Sequence, residues 1–504
     1  MERKWWSLIA VCLATFMLLL DITVVNVALP DIQKDLDTDL TGLQWVVDAY
    51  TLLLSALTLT MGTLADRFGR RRLFVIGVGL FTLASLLCGL ATSATFLHLA
   101  RGLQGVGGAA MFATSLALIA QEFQGPERGT AIAAWGATVG GAVAVGPLIG
   151  GALTDGLGWE WIFFVNIPIG IGTVVLAATQ AGESHDPDAK RLDWAGLVTL
   201  SLGLFALMFG LLRGNAEGWG SGLIVGALVG AAALLVAFVL FEWRQDHAMF
   251  DLNLFRKPSF SGVSYGTFAI GAGMFAMFLY ITIYMQSVIG MTPLESGVRF
   301  LPLTLFAFLV PLATRNLVAK VPARIPLTIG LTLVGIGLLL MRGAKPDSEW
   351  TTLLAGFMVS GFGIGLSNPS IAATALGVVP AVRSGMASGI NNTMRIAGVA
   401  TGIAGLGAVF QSKISDSIGK LLPQAPHGFA DGVAASGTRG ASQVPGGLHD
   451  QAVHAAGVAF TNAFNDILLI GALILFSGAL AVAALVRQSD FVPHGAPEGA
   501  STQR

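Results

Sequence analysis

GTLADRFGRRRLFVIG, residues 62–77, decides how this chain folds. It ends one apolar run and starts the next through a very short, very basic turn. Gly62 and Gly69 permit close approach and a tight bend. Arg67, Arg70, Arg71 and Arg72 mark the side of a bilayer on which membrane proteins keep their basic loops. Asp66 lies among them at a helix end, placed to pair with an arginine or to cap the next helix. A topology signal alone accounts for the arginines and leaves the acid and the glycines unexplained. Gly62, Asp66, Arg67, Gly69, Arg70 and Arg71 therefore read as a conformational latch.

The stretch returns later in the chain. RFGRRRLFVIG (67–77) parallels KVPARIPLTIG (320–330) at an offset of 253. QGVGGA (104–109) parallels SGFGIG (360–365) at 256, and the helix from Arg128 parallels that from Arg383 at 255. Offsets that agree this well predict two six-helix halves, an arrangement in which substrate binds between repeats near the bilayer midplane.

The composition agrees. Of 504 residues, 54% are hydrophobic and 11% charged, against about 25% charged in soluble domains. Several apolar runs exceed the roughly 18 residues that span a bilayer. Fourteen spans are expected: 5–29, 42–65, 73–92, 95–120, 127–153, 160–179, 194–212, 222–243, 258–286, 297–317, 325–341, 351–375, 382–411 and 465–487. The first is expected to remain as an uncleaved anchor. The fold class is an all-α polytopic membrane protein, with two six-helix bundles and two extra central helices. Its parts are 1–180 (first bundle), 181–257 (the extra pair with its loops), 258–411 (five helices of the second bundle), 412–464 (an extracellular loop with a helix near 448–462) and 465–504 (the last helix and tail). Most other basic residues keep to the same side, and the short loops opposite, with their margins, hold only Lys34, Arg213, Arg299, Arg342 and Lys345. Both termini are therefore expected in the cytoplasm of a bacterial cell membrane.

Other classes are weakly supported. A net charge of −1 provides no basic field for nucleic acid, and Cys12 and Cys88 both sit in apolar runs without metal-site spacing. No HExxH and no P-loop occurs. The expectation is a non-enzyme with no metal and no cofactor, the proton serving as coupling ion.

Five motifs resemble one family. GTLADRFGRRR resembles the cytoplasmic signature loop of the major facilitator superfamily. LDITVVNVALP (20–30) is similar to the first-helix motif of its fourteen-helix drug:proton antiporters. ARGLQGVGGA (100–109) resembles the fourth-helix motif with its buried arginine, GPLIGG (146–151) the fifth-helix antiporter motif, and WEWIFFVNIPIG (159–170) the sixth-helix entry. The resemblance covers nearly the whole chain apart from 412–464. It implies the major facilitator fold, multidrug efflux, and a bend at Gly146, Pro147, Gly150 and Gly151 that seals against proton leak. The residues alone read equally as close packing.

Asp21 is the costliest residue in the first span, because a carboxylate in hydrocarbon costs about 2.5–3.5 kcal/mol on insertion scales. Arg101 lies at a similar depth and is its expected partner. A movement that separates the two would change how Asp21 holds a proton, while a fixed structural pair is the plainer alternative. Asp48 is a second acid, expected near the outer mouth to attract a cation, to carry a second proton, or simply to be hydrated. Proton coupling is thus placed on Asp21, Arg101 and Asp48. Substrate contacts are placed on Asn26, Trp45, Gln104, Trp135, Tyr280, Tyr284, Gln286, Asn391, Asn392 and Arg395, with Phe163 and Phe362 as further aromatics; helix packing is the alternative for Asn391, Asn392 and Arg395 and for each aromatic taken singly. Between 258 and 411 the only acids are Glu295, Asp347 and Glu349, all in loops, which argues against dicationic cargo.

The expected activity is proton-driven export of hydrophobic, cationic or neutral drug-like molecules by a monomer in contact with lipid. Export of a lipid, a siderophore or a self-made antibiotic by the same machinery is the alternative, and nutrient import a more distant one.

Overall fold

The structure is a computed structural model that describes residues 2–38, 40–184, 194–244, 252–318, 320–380, 383–426, 428–438 and 449–492. The described residues are overwhelmingly helical. The first half holds α1 (Arg3–Asp35), α2 (Leu40–Phe68), α3 (Arg70–Gly89), α4 (Ala94–Glu122), α5 (Gly125–Leu157), and the pair α6 (Trp161–Phe164) and α7 (Asn166–Gln180), which form one rod. The extra pair is α8 (Trp194–Glu217) and α9 (Gly222–Arg244). The second half begins with α10 (Pro258–Ile270), which continues through a π-helical turn at Gly271–Phe275 into α11 (Met277–Ile283) and a second π turn at Tyr284–Val288. It goes on with α12 (Pro293–Arg299) and α13 (Leu301–Val318), α14 (Arg324–Leu340), α15 (Thr351–Gly377), α16 (Ser384–Leu421), α17 (Phe429–Ser436) and α18 (His449–Leu485).

These rods correspond to the fourteen expected spans. Ten of them are long and apolar enough to cross a bilayer on those grounds alone, among the described residues. The chain is a multi-pass membrane protein. Two boundaries differ from the sequence reading. α16 continues to Leu421, and the helix expected near 448–462 is continuous with the last span, so α18 has 37 residues. At 1.5 Å per residue that is about 55 Å, well beyond the roughly 30 Å hydrocarbon core. No strong break falls between 449 and 485, and α17 packs against the extension through Val433. Residues 439–448 of the expected extracellular loop lie outside the described residues.

The internal repeat is a repeat of packing. A Cβ on Gly77 would stand 3.0 Å from the Gly107 carbonyl oxygen, and one on Gly330 would stand 2.9 Å from that of Gly363. Gly77 matches Gly330, and Gly107 matches Gly363, at the offsets read from sequence. Each half thus presses its third helix against its fourth through the same pair of glycines, as small residues allow in membranes.

The two halves meet along α2 and α16. A Cβ on Gly62 would lie 2.6 Å from the Gly385 carbonyl oxygen, and one on Gly389 would lie 3.2 Å from Cα of Leu59. α8 packs over this seam. Leu52 of α2, Met208 of α8 and Ala400 of α16 form one buried cluster, and the Thr60 and Ser201 hydroxyls meet at 2.8 Å. From sequence the extra pair reads as peripheral packing. α9 fits that description, whereas α8 touches both halves.

Candidate functional site

Asp21 and Arg101 come together as expected. α1 and α4 place them in the interior of the first half, at 2% and 1% exposure. Arg101 Nη1 donates to Asp21 Oδ2 at 2.5 Å and to Gln104 Oε1 at 2.7 Å. Gln104 Nε2 donates to the other carboxylate oxygen at 2.9 Å, and Arg101 Nε donates to the Val46 carbonyl at 2.9 Å. The guanidinium stands 4.3 Å from the centre of the Tyr50 ring, and Phe163 lies 5.8 Å away on another side. No buried polar atom of Asp21, Arg101 or Gln104 is without a partner. Gln104, read from sequence as a substrate contact, here completes the ion pair. The signal was present, because Gln104 is three residues past Arg101 and shares its helix face.

The fifth-helix motif lies beside this cluster. A Cβ on Gly146 would collide with the Thr23 hydroxyl, and one on Gly150 would stand 3.2 Å from the Val24 carbonyl oxygen. Both glycines seat α5 against α1 just past Asp21. Gly151 faces open space instead. The side chains of Asn26 and Pro147 lie outside the described residues.

Asp48 does not stand alone at the mouth. Its carboxylate is 3.6 Å from Arg213 Nη1 of α8, which also donates to Gln44 Oε1 at 2.7 Å. Arg213 Nη2 reaches Glu217 at 2.6 Å, and the guanidinium lies 5.5 Å from the Trp45 ring. From sequence Arg213 is a loop-margin charge. α8 runs to Glu217, which puts Arg213 inside the helix with its partner four residues on. Trp45 packs against Phe209 of α8 at 6.2 Å.

The latch also departs from expectation. Asp66 Oδ1 accepts from Arg70 Nη2 at 2.7 Å. The helix that Asp66 caps, however, is not the following one. Gly385 N donates to Oδ1 at 3.0 Å and Met386 N to Oδ2 at 2.8 Å. Those are the first free N–H groups of α16, in the other half, where a carboxylate meets the positive end of the helix dipole. Gly69 makes the turn at φ 110°. The Arg71 amide donates to Glu183 Oε1 at 3.2 Å, while Arg67 lies over Phe68 at 5.4 Å.

The aromatic candidates turn out mostly as packing. Trp135 is fully buried, stacks on Phe112 and donates to the Thr15 hydroxyl at 3.1 Å. Tyr280 donates to the Ile403 carbonyl at 2.9 Å. Tyr284 stacks on Phe464 at 4.8 Å and donates to the Lys345 carbonyl at 3.0 Å. Gln286 lies in the second π turn. Phe362 is 38% exposed. A π turn brings side chains out of helical register, which periodicity cannot anticipate.

The second half holds a cluster of another kind. Asn391 accepts from the Thr267 hydroxyl at 2.9 Å, and Asn392 Nδ2 donates across the seam to the Phe112 carbonyl at 3.0 Å. Arg395, 6% exposed, donates from Nη1 to Asn368 Oδ1 at 2.9 Å and stands 5.7 Å from the Phe275 ring. Its Nε and Nη2 have no partner, nor do Nδ2 of Asn368 and Nδ2 of Asn391. Asn368 was missed from sequence, although a polar residue inside an apolar span is itself a functional signal.

Comparison with known proteins identifies the family. The chain is 37% identical to the multidrug resistance protein Stp of Mycobacterium tuberculosis over 83% of its length and 78% of that protein. It is 31% identical to the tetracenomycin C resistance and export protein of Streptomyces glaucescens over 94% of its length and 92% of that protein. Its fold overlays the proton:xylose symporter XylE with a TM-score of 0.63 at 12% identity, covering 96% of each chain. The Major Facilitator Superfamily model matches residues 11–403, and with two glycine-paired halves joined at the Asp66 cap the chain belongs to that superfamily.

Proposed function

We propose that the protein is a transporter rather than an enzyme, and that it exports hydrophobic drug-like compounds from the cell in exchange for protons. The observation that carries this reading is the Asp21–Arg101–Gln104 cluster, a fully hydrogen-bonded carboxylate in the interior of a membrane bundle. Such a group is costly to keep, and it marks an ion or proton pathway in membrane proteins. A movement of α1 against α4 within the first half that took Arg101 from the side of Asp21 would leave a buried carboxylate to take up a proton, and its return would release that proton. The two glycines that seat α5 on α1 bring this event next to a helix that also touches the second half through Gly136 and Pro369. The Asp66 cap holds one end of the seam shut until the halves part. Each proton moved inward supplies about 2.3 kcal/mol per 100 mV.

The multidrug resistance relative supports drug-like cargo. A second reading, export of one antibiotic rather than of many compounds, is favoured by the relative named for tetracenomycin C resistance and export. The cationic preference drawn from Asp48 loses its basis, because Asp48 faces Arg213. In this reading the protein is a monomer in the bacterial cell membrane with both termini in the cytoplasm.

Proteoliposomes with an imposed pH gradient and an internal pH dye test the proposal. Adding drugs to wild type should evoke proton flux, and Asp21→Asn should abolish it. Flux that survives in Asp21→Asn would remove Asp21 as carrier. No flux with any compound would sink proton exchange itself.

A further inference from the structure

We infer that Arg395 is a receptor for the anionic group of an organic substrate, so that the second half of the protein recognises aromatic acids. The inference rests on the export reading above and assigns it a substrate class.

The surroundings of Arg395 are rich in unused donors. Nε and Nη2 of the guanidinium, Nδ2 of Asn368 and Nδ2 of Asn391 are buried N–H groups with no acceptor. The acceptors of Asn368 and Asn391 are already used, one by Arg395 itself and the other by Thr267, while Oδ1 of Asn392 is an unpaired but uncharged acceptor. What remains is a donor set without a matching negative charge, which suits an oxyanion and repels a cation. The three acids between 258 and 411 are placed elsewhere. Glu295 reaches back to the Thr292 amide as a capping box, a bond that lowers its pKa, and Asp347 and Glu349 lie in the turn between α14 and α15.

The position fits a substrate site. Arg395 is three residues past Asn392, which bonds across to α4 of the other half, and residues so spaced share a helix face. Arg395 therefore lies within one helical turn of a residue at the seam, with its own side-chain contacts, Asn368 and Phe275, in the second half. Opposite it, the π turn at Gly271–Phe275 lets α10 come close, since a Cβ on Gly271 would stand 2.5 Å from the Arg395 carbonyl oxygen. That turn presents Phe275 to the guanidinium, with Phe278 5.8 Å beyond it. A carboxylate on Nε and Nη2, with its aromatic body against Phe275, uses both features at once.

The test uses full-length protein in nanodiscs and three probes of one shape: 1-pyrenebutyrate, its methyl ester and the corresponding trimethylammonium cation. Fluorescence anisotropy reads binding. Wild type should bind the acid at least tenfold tighter than the ester, with the cation weakest. Arg395→Lys should keep the order, and Arg395→Met should bind acid and ester alike. Asn368→Asp leaves the arginine in place and supplies an internal carboxylate; it too should abolish the preference, and it decides the matter if Arg395→Met fails to fold. Equal binding of acid and ester by wild type overturns the inference, as does a preference that survives both Arg395→Met and Asn368→Asp. Titration with sulfate and chloride separates a second source of the same charge. An ion effect lost in Arg395→Met, without preference for pyrenebutyrate over its ester, would assign the site to a free inorganic anion and overturn the substrate role. Pyrenebutyrate-evoked proton flux is read in parallel. Preference without flux sinks proton exchange and leaves the receptor standing, whereas drug-evoked flux without preference does the reverse.

Discussion

Arg101 in the first half and Arg395 in the second are both buried to within a few per cent, yet their surroundings are opposites. Arg101 has a carboxylate, an amide, a carbonyl and an aromatic face around it. Arg395 has one amide oxygen and a phenylalanine ring, and two of its nitrogens are bare. A buried ion costs several kcal/mol to desolvate unless its geometry repays it. The first half repays that cost internally and is complete as it stands. The second is left short, by an amount that a bound anion would supply. The difference teaches that a pseudo-repeated fold can bury one residue type fully paired on one side and short of partners on the other.

The sharpest way to break this comparison is to truncate both arginines. Arg101→Met strands Asp21 and should cost about 3–5 kcal/mol of stability, measured by denaturant unfolding in detergent. Arg395→Met removes an uncompensated charge and should be neutral or slightly stabilising. Comparable losses from the two would show that Arg395 is structurally paired after all. Adding Asp21→Asn to Arg101→Met should recover part of the loss, because neighbours in one network are not additive.

The next largest effect should come from Asp66→Ala, which removes a carboxylate bonded in both halves. Loss of the α16 cap should cost about 2 kcal/mol and widen the distance between spin labels placed at the ends of α2 and α16. An unchanged distance distribution would reduce the latch to a local turn.

Asn368→Asp sharpens the comparison in the other direction. It makes the second half resemble the first, and should raise stability by roughly 1–2 kcal/mol, seen as a higher Tm in detergent. The smallest effect is expected for Arg213→Met, about 1 kcal/mol, with α8 loosened from Gln44 and Asp48. Faster backbone hydrogen exchange confined to α8 would report it. Exchange that rises equally in α1 and α4 would mean that Arg213 supports the Asp21 cluster rather than the packing of α8.

Much of the fold was legible because a bilayer admits few solutions. Every backbone polar group must be satisfied within its own segment, so long apolar runs become helices, and the basic turns orient them. The Gly77–Gly107 and Gly330–Gly363 contacts were legible as matching motifs. Asp21 and Arg101 were legible as a pair, since an ionisable group in hydrocarbon needs a partner at its own depth. Gln104 was named but given the wrong task. Trp135, Tyr280 and Tyr284 were read as cavity walls, yet their polar atoms are already bonded to Thr15, Ile403 and Lys345. Aromatic composition does not distinguish a wall from a core.

By itself the sequence determined the helix count, the two-half repeat, the basic turns and the cost of each buried charge, because these depend on hydropathy and spacing along one chain. Only the tertiary structure decided which groups meet: that Asp66 caps α16 rather than α3, that Asp48 belongs to Arg213, and that Arg395 is left without an acid. Those outcomes depend on how helices far apart in sequence rotate and tilt against one another. That geometry comes from glycine contacts and π turns summed over the whole bundle, and no local pattern records it.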